Sequence, residues 1–205
     1  MKKIIDLLIH AGEFENVTNQ YSHSWQYSNI TKNNLSLYFN QMEMIKPNLL
    51  LVGEAPGYKG CRFTGIPFTS EFIIDKGIPE FNIFGTEQGY LTRNIKNKQK
   101  EATATIIWDV LKENRILPLL WNAFPFHPYK KNNFNSNRQP NVVELIFGIN
   151  ILKQVIKHFS IKRIIAVGNT SYKLMIKHDI ECKKIRHPSN GGKTEFQEGI
   201  QSLDF

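Results

Sequence analysis

Three polar side chains in this sequence stand where apolar runs end: Glu54, Asn122 and His187. Their types are complementary. A carboxylate can orient water or support a developing positive charge. A primary amide offers a donor and an acceptor side by side. An imidazole N–H can steady an oxygen that becomes anionic. Each motif is short: Gly53-Glu54-Ala55-Pro56-Gly57, Trp121-Asn122-Ala123-Phe124-Pro125 and His187-Pro188-Ser189. Their weight lies in the shared placement. Gly53 permits a close approach, and Pro56 with Gly57 sets a sharp turn.

The elements that must hold these groups are readable from the apolar pattern. Asn48 to Val52 is a short run with no polar interruption, as in a strand buried on both faces. Leu117 to Asn122, Arg163 to Val167 and Lys183 to Arg186 read as three more strands. Between them lie helical patterns. Leu35, Phe39, Met42 and Ile45 recur at helical spacing before Pro47, and Ile106, Ile107, Val110 and Leu111 mark another helix. The clearest stripe is Val142, Ile146, Ile149, Leu152, Ile156 and Phe159. Gly168 and Asn169 lead into a helix with Leu174 and Met175, and a last helix is expected to run to the C-terminus. Ile4, Leu7 and Leu8, with Phe14, suggest a short amphipathic helix at the start. Thr69 or Ser70 is a candidate N-cap for a helix carrying Phe72 and Ile73. Residues 15–31 have no assignable pattern, 76–100 read as an irregular insertion, and 123–140 as a long loop of the kind that carries function. Strands alternating with helices imply an α/β fold: one domain over residues 1–205, with a mostly parallel sheet covered on both faces.

Composition narrows the class. The chain of 205 residues carries 26 Lys and Arg against 18 Asp and Glu, a formal charge of +8. Such a surface favours a polyanion, nucleic acid above all. The 2 cysteines, Cys61 and Cys182, cannot ligate an iron–sulfur cluster, which takes four. No cofactor or metal is expected. The apolar stretch after Met1 is broken by Asp6 and His10, which argues against a signal peptide. No run reaches the roughly eighteen apolar residues of a membrane span. A cytoplasmic monomer without membrane contact is the expectation.

The ordered set resembles the uracil-DNA glycosylase superfamily. Gly53-Glu54-Ala55-Pro56-Gly57 is similar to that superfamily's first motif in its thermophile-type form, and His187-Pro188-Ser189 to its second. Gly65-Ile66-Pro67-Phe68 is similar to the segment bearing the aromatic that stacks on the base. Asn122 matches the base-reading Asn. The resemblance covers roughly residues 48–192. It implies a parallel four-stranded sheet sandwiched between helices, and a DNA-repair hydrolase of base excision. Such an enzyme flips uracil out of DNA and hydrolyses its N-glycosidic bond. On this reading Glu54 and His187 are catalytic. Gly53, Ala55, Gly57, Phe68 and Asn122 line the base site. Lys59, Arg62, Ser189, Asn190 and Lys193 contact DNA, with Lys130, Lys131 and Arg186 as further phosphate contacts.

The departures bear on activity. The archetypal enzymes carry a water-activating Asp at the position of Ala55 and a Tyr at that of Gly57, which blocks C5-substituted uracils. Here Glu54 is the natural substitute for the Asp, with Glu71 and Asp75 as more distant candidates. The thermophile-type branch has four cluster cysteines that this chain lacks. The wedge Leu that follows the second motif is replaced near Gly191. Two other classes stay open: a non-catalytic relative that binds DNA or protein, and a phosphate enzyme using the Gly53 turn. No GxxxxGK[ST] or GxGxxG pattern supports the latter.

Overall fold

The structure, a computed structural model, describes residues 1–203; Asp204 and Phe205, the end of the expected last helix, lie outside the described residues. In chain order the first elements are α1 (Lys2–Ile9), β1 (Val17–Thr18), α2 (Ser28–Ile45), β2 (Leu49–Gly53), α3 (Cys61–Thr64) and α4 (Glu71–Lys76). Then come α5 (Ala102–Glu113), β3 (Leu119–Asn122), β4 (His127–Pro128) and α6 (Val142–His158). The chain closes with β5 (Arg163–Val167), α7 (Asn169–Lys177), β6 (Lys183–Ile185) and α8 (Lys193–Gln201).

Four strands form the parallel sheet, in the order β3-β2-β5-β6. The apolar residues of β2 are all buried, as a strand covered on both faces requires. The connection through α5 runs from β2 to one neighbour, and the connection through α6 returns past β2 to the other. Right-handed crossovers in opposite directions put α5 and α6 on opposite faces. α8 packs against α5 and β6, while α1 packs on α6 and α7 on β5. The direction of chain progression reverses at β2. In open α/β sheets, ligands sit in the crevice at the carboxyl ends of strands at such a reversal.

Several expectations shift, each for a physical reason. β3 starts at Leu119 rather than Leu117, because Pro118 has no N–H for the ladder. β6 ends at Ile185, one residue early. α2 begins at Ser28, well before the apolar stripe. Its first turns bury polar side chains, Thr31 bonded to Gln20 O and Asn34 Nδ2 donating to Leu91 O at 2.8 Å. A polar residue buried against a loop backbone leaves no hydrophobic periodicity to read. The α6 stripe is correct from Ile149 onward, but Val142 and Ile146 are 61% and 48% exposed. In α1, Ile5 is buried and Leu7 faces out; Phe14 lies past the helix but packs its ring edge against Phe124 at 5.5 Å. Ser70 holds the N-cap position of α4 without a side-chain capping bond, and Phe72 lies at its exposed margin. The long loop carries an unforeseen strand: β4 pairs antiparallel with β1, inside a segment that had no readable pattern. Residues 76–100 are irregular as expected, with single turns of 3-10 helix.

Gly148 explains how α6 sits against the end of β3. A Cβ there would collide with the Ala123 carbonyl, so the helix can approach the residue after Asn122 only without a side chain. Among the described residues, no helix is long and apolar enough to cross a membrane.

Candidate active site

Gly53 and Asn122 are register partners at the ends of β2 and β3. The pairing continues past the strands, with Ala123 N–H donating to Gly53 O at 2.8 Å and Phe124 N–H to Glu54 O at 3.0 Å. These bonds tie the two strand ends together beyond the ladder. A Cβ on Gly53 would stand 2.5 Å from Phe68 Cζ and 2.7 Å from Asn122 Oδ1. The sequence predicts that a ligand approaches this glycine. In the structure it is the protein's own ring and amide that do so.

Phe68 occupies the left-handed region with φ of 55°. A bulky residue there costs on the order of 1–3 kcal/mol and persists only when its surroundings over-determine it. They do: Trp108 Nε1–H from α5 donates to Phe68 O at 2.9 Å, and Thr69 Oγ1 donates to Ile66 O at 2.6 Å. The strain aims the ring at Gly53. The Asn122 side chain is almost fully buried, yet none of its amide atoms meets a partner among the described residues. The amide tip lines the pocket, where its donor and its acceptor face open space.

His187 follows β6 in a tight turn. A Cβ on Gly192 would strike the His187 carbonyl, and the Gly192 N–H closes the turn on Ser189 O at 3.1 Å. The Ser189 N–H donates to His187 Nδ1 at 3.2 Å, and Ser189 Oγ lies 2.7 Å from the same nitrogen. With Nδ1 an acceptor, the ring proton sits on Nε2. Burial, reinforced by the neighbouring Arg186, holds the imidazole below its ordinary pKa, so the ring is neutral at pH 7. The result is a neutral N–H donor with fixed orientation. Ser189 was expected at DNA phosphates; its hydroxyl is engaged with His187.

Glu54 is half-buried, and its carboxylate has no partner among the described residues. The turn after it is braced from the long loop. Buried His127 donates Nδ1–H to Pro56 O at 2.7 Å, and Tyr58 N–H donates to Asn137 Oδ1 at 3.1 Å. Burial pulls His127 down to about 4, which keeps it neutral.

These groups enclose a pocket of about 150 Å³ lined by Glu54, Gly57, Phe68, Glu101, Asn122 and His187. That is below the roughly 300 Å³ at which drug-sized ligand sites begin, and it suits one small planar ring. Ala55 and Pro56 line it too. A neighbouring cleft of about 530 Å³ shares the Glu54 turn and runs along Gly168–Thr170, Lys184 and Arg186 to Asn190. Nothing lies within 4 Å of where a Gly57 Cβ would be.

The expected DNA contacts divide. Lys59, Asn190, Lys193, Lys130, Lys131 and Arg186 are exposed, Lys193 as the first residue of α8. Arg62 contradicts its expected role. It is 4% exposed, donates to Phe134 O and to Asn135 Oδ1 at 2.9 Å, and stacks 4.6 Å from the Phe63 ring. Burial lowers its pKa to about 10. The guanidinium braces a loop and does not face a phosphate. Glu71 is no water activator either. It is buried in a two-point pair with Arg93, at 2.8 and 2.7 Å. Burial alone would raise its pKa, but Arg93 and the backbone N–H of Gln99 hold the carboxyl below its ordinary value. Asp75 is half-buried and does not line the pocket.

Three residues of the site had no sequence signal. Glu101 caps α5 by accepting from Thr103 and Ala104 N–H at 3.1 and 3.2 Å, and burial raises its pKa. Glutamate is not a preferred N-cap, so its position passed unmarked. His127 and Asn137 sit in the long loop and reach the site only through its folding back. Cys61 lines the pocket, but burial pushes its thiol far above the usual range, which leaves it inert. Among the described residues no three His, Cys, Asp or Glu side chains converge to hold a metal ion.

A family model described as the uracil DNA glycosylase superfamily matches residues 39–201. Among solved structures, the chain is similar to wild-type SMUG2 of Pedobacter heparinus at 16% identity, with a TM-score of 0.62, over 98% of this chain and 93% of that one. At such identity the likeness speaks for the fold. No curated protein matches.

Proposed function

The chain belongs to the uracil-DNA glycosylase superfamily, and on that premise we propose that it excises uracil, including uracil with a small C5 substituent, from DNA. The observation that carries this reading is the convergence over Gly53: a strained aromatic ring and an unpartnered amide meet in a pocket sized for one base.

The steps follow from the groups present. The target nucleotide leaves the stack and its base enters the pocket. Phe68 stacks on it. The Asn122 amide pairs with N3–H and O4 of uracil, and the reversed pattern of cytosine mismatches it. As the N-glycosidic bond breaks, the sugar becomes oxocarbenium-like and the base gains charge at O2. His187 Nε2–H donates to that oxygen. A preorganised donor of this kind is typically worth ~3–4 kcal/mol in the transition state. Neutral imidazole suits the task, since it need not release a proton. Glu54, without a partner, orients the attacking water and supports the cationic sugar through its charge. The exposed lysines at the rim hold phosphates.

The test is release of base from uracil-containing single- and double-stranded oligonucleotides, with EDTA present, followed by alkaline cleavage of abasic sites. Strand breaks that depend on His187 are the expected result. No breaks above background at high protein excess would reject catalysis and leave the non-catalytic DNA-binding relative, which Ala55 in place of Asp makes the natural successor.

A further inference from the structure

One group near the pocket has no use in this scheme. Phe134, on the loop between β4 and α6, is 62% exposed. A single exposed phenylalanine is ordinary. This one is held in place. Its carbonyl takes a hydrogen bond from buried Arg62, the neighbour of pocket-lining Cys61. Arg62 also binds Asn135, and Asn137 accepts from the N–H of Tyr58, the residue after the first motif. Ser136 Oγ closes the loop on itself, accepting from Lys130 N–H at 2.9 Å and donating to Asn133 O at 2.6 Å. Beneath the ring lies Tyr129, with centroids 4.7 Å apart. A buried arginine, two amides and an aromatic base plate thus present one ring to solvent. Lys130 and Lys131 are exposed on the same loop, and Lys59 on the loop it is bonded to.

Position matters as much as rigidity. Asn137 lines the base pocket, and only three residue steps separate it from Phe134. Their Cα atoms are therefore at most about 11 Å apart, within about three stacked nucleotide steps of about 3.4 Å. The turn after His187 offers Ser189, Asn190, Gly191 and Gly192, none bulky enough to stack where a base has left. An aromatic face flanked by lysines is how sequence-tolerant strand binding is built.

We propose that Phe134 stacks on a nucleobase flanking the extruded nucleotide, with Lys130 and Lys131 on the adjoining phosphates. The inference rests on the base-excision reading, but its test does not need catalysis. The probe is a single-stranded oligonucleotide with a stable abasic analogue and 2-aminopurine on one side or the other. Stacking quenches 2-aminopurine fluorescence. The full-length parent quenches one of the two probes on binding. Phe134→Ala abolishes that quenching and weakens binding about 5- to 150-fold, while Phe134→Trp restores both. Because the side chain is mostly exposed, the Ala variant keeps the parent's thermal midpoint. Lys130→Gln with Lys131→Gln weakens binding and flattens its salt slope by about two units of phosphate contact. At saturation that double variant still quenches the probe. Phe134→Ala binding and quenching like the parent overturns the proposal, as does a parent that quenches neither probe at saturation. Failure of the excision reading looks different: binding and Phe134-dependent quenching would persist while no base is released from uracil substrates.

Discussion

Gly53→Ala is the sharpest single test of how the pocket is built. The added methyl would lie 2.5 Å from Phe68 Cζ and 2.7 Å from Asn122 Oδ1. Ordinary carbon contacts need ~3.5–4.0 Å, so the ring must retreat by about 1 Å or more. It has little freedom to do so. Its backbone is already in the left-handed region, and its carbonyl is held by Trp108. Asn122 is fixed as the register partner of Gly53 itself. The methyl therefore displaces the stacking face and the base-reading amide together, while the backbone hydrogen bonds of β2 and β3 remain. Overpacking of this size costs about 1–3 kcal/mol of stability. A misplacement of about 1 Å in a positioned group costs about 10²-fold in rate. The expected outcome is a folded protein whose single-turnover uracil release falls at least about 10²-fold, with most of its DNA affinity retained through phosphate contacts. The measurement is single-turnover cleavage at saturating protein, with a circular dichroism melt and a binding titration on the same sample. Release within about threefold of the parent, in a folded variant, would refute the claim that Phe68 and Asn122 form the base site.

Other outcomes follow from the same geometry. His187→Ala should lower single-turnover release by ~10²–10³, the loss of one transition-state donor. Because burial holds the His187 pKa below its ordinary value, the parental rate should stay level through neutral pH and fall only in more acid solution than a free histidine would need, as protonation of the ring breaks the Ser189 N–H contact; a rate that rises in acid would exclude the neutral-donor role. Asn122→Asp removes the amide donor and should narrow the uracil-over-cytosine ratio of release rates; an unchanged ratio would place base reading elsewhere. Gly57→Tyr has space for its Cβ and should cut release of 5-hydroxymethyluracil more than of uracil, since selectivity against a larger base comes chiefly from clash. Equal losses on the two bases would contradict the open C5 side. For stability, buried His127 has its pKa lowered to about 4 from about 6.5. The unfolded chain then binds more protons in that window, so stability is complete above pH 6.5 and is lost as pH falls toward 4. The loss is roughly 3 kcal/mol. His127→Gln should remove most of this acid slope in denaturant titrations; an unaltered slope would assign it to other groups.

How far the sequence reaches is clear from particular residues. The unbroken apolar run Leu49 to Val52 reads as a strand covered on both faces, and the alternation around it implies a mostly parallel α/β sheet. Because such strands end at a common edge, Glu54, Asn122 and His187 had to gather there. That much is local pattern plus topology. The parts that needed tertiary structure are those in which distant residues decide burial and pairing. Arg62 reads as a surface cation, but a loop some seventy positions later folds over it and supplies its acceptors. Glu71 reads as a free carboxylate until Arg93 closes on it. Thr31 falls in a stretch without a readable pattern because its partner is a backbone group of another segment. Glu101, His127 and Asn137 enter the site only when the loops fold back. Residue type fixes what a side chain can donate or accept; which atom it meets, and whether water is present, depends on chain neighbours in space. The gathering of these polar groups at the strand ends was therefore legible, while the orientation, tautomer and shape of the site were decided by packing.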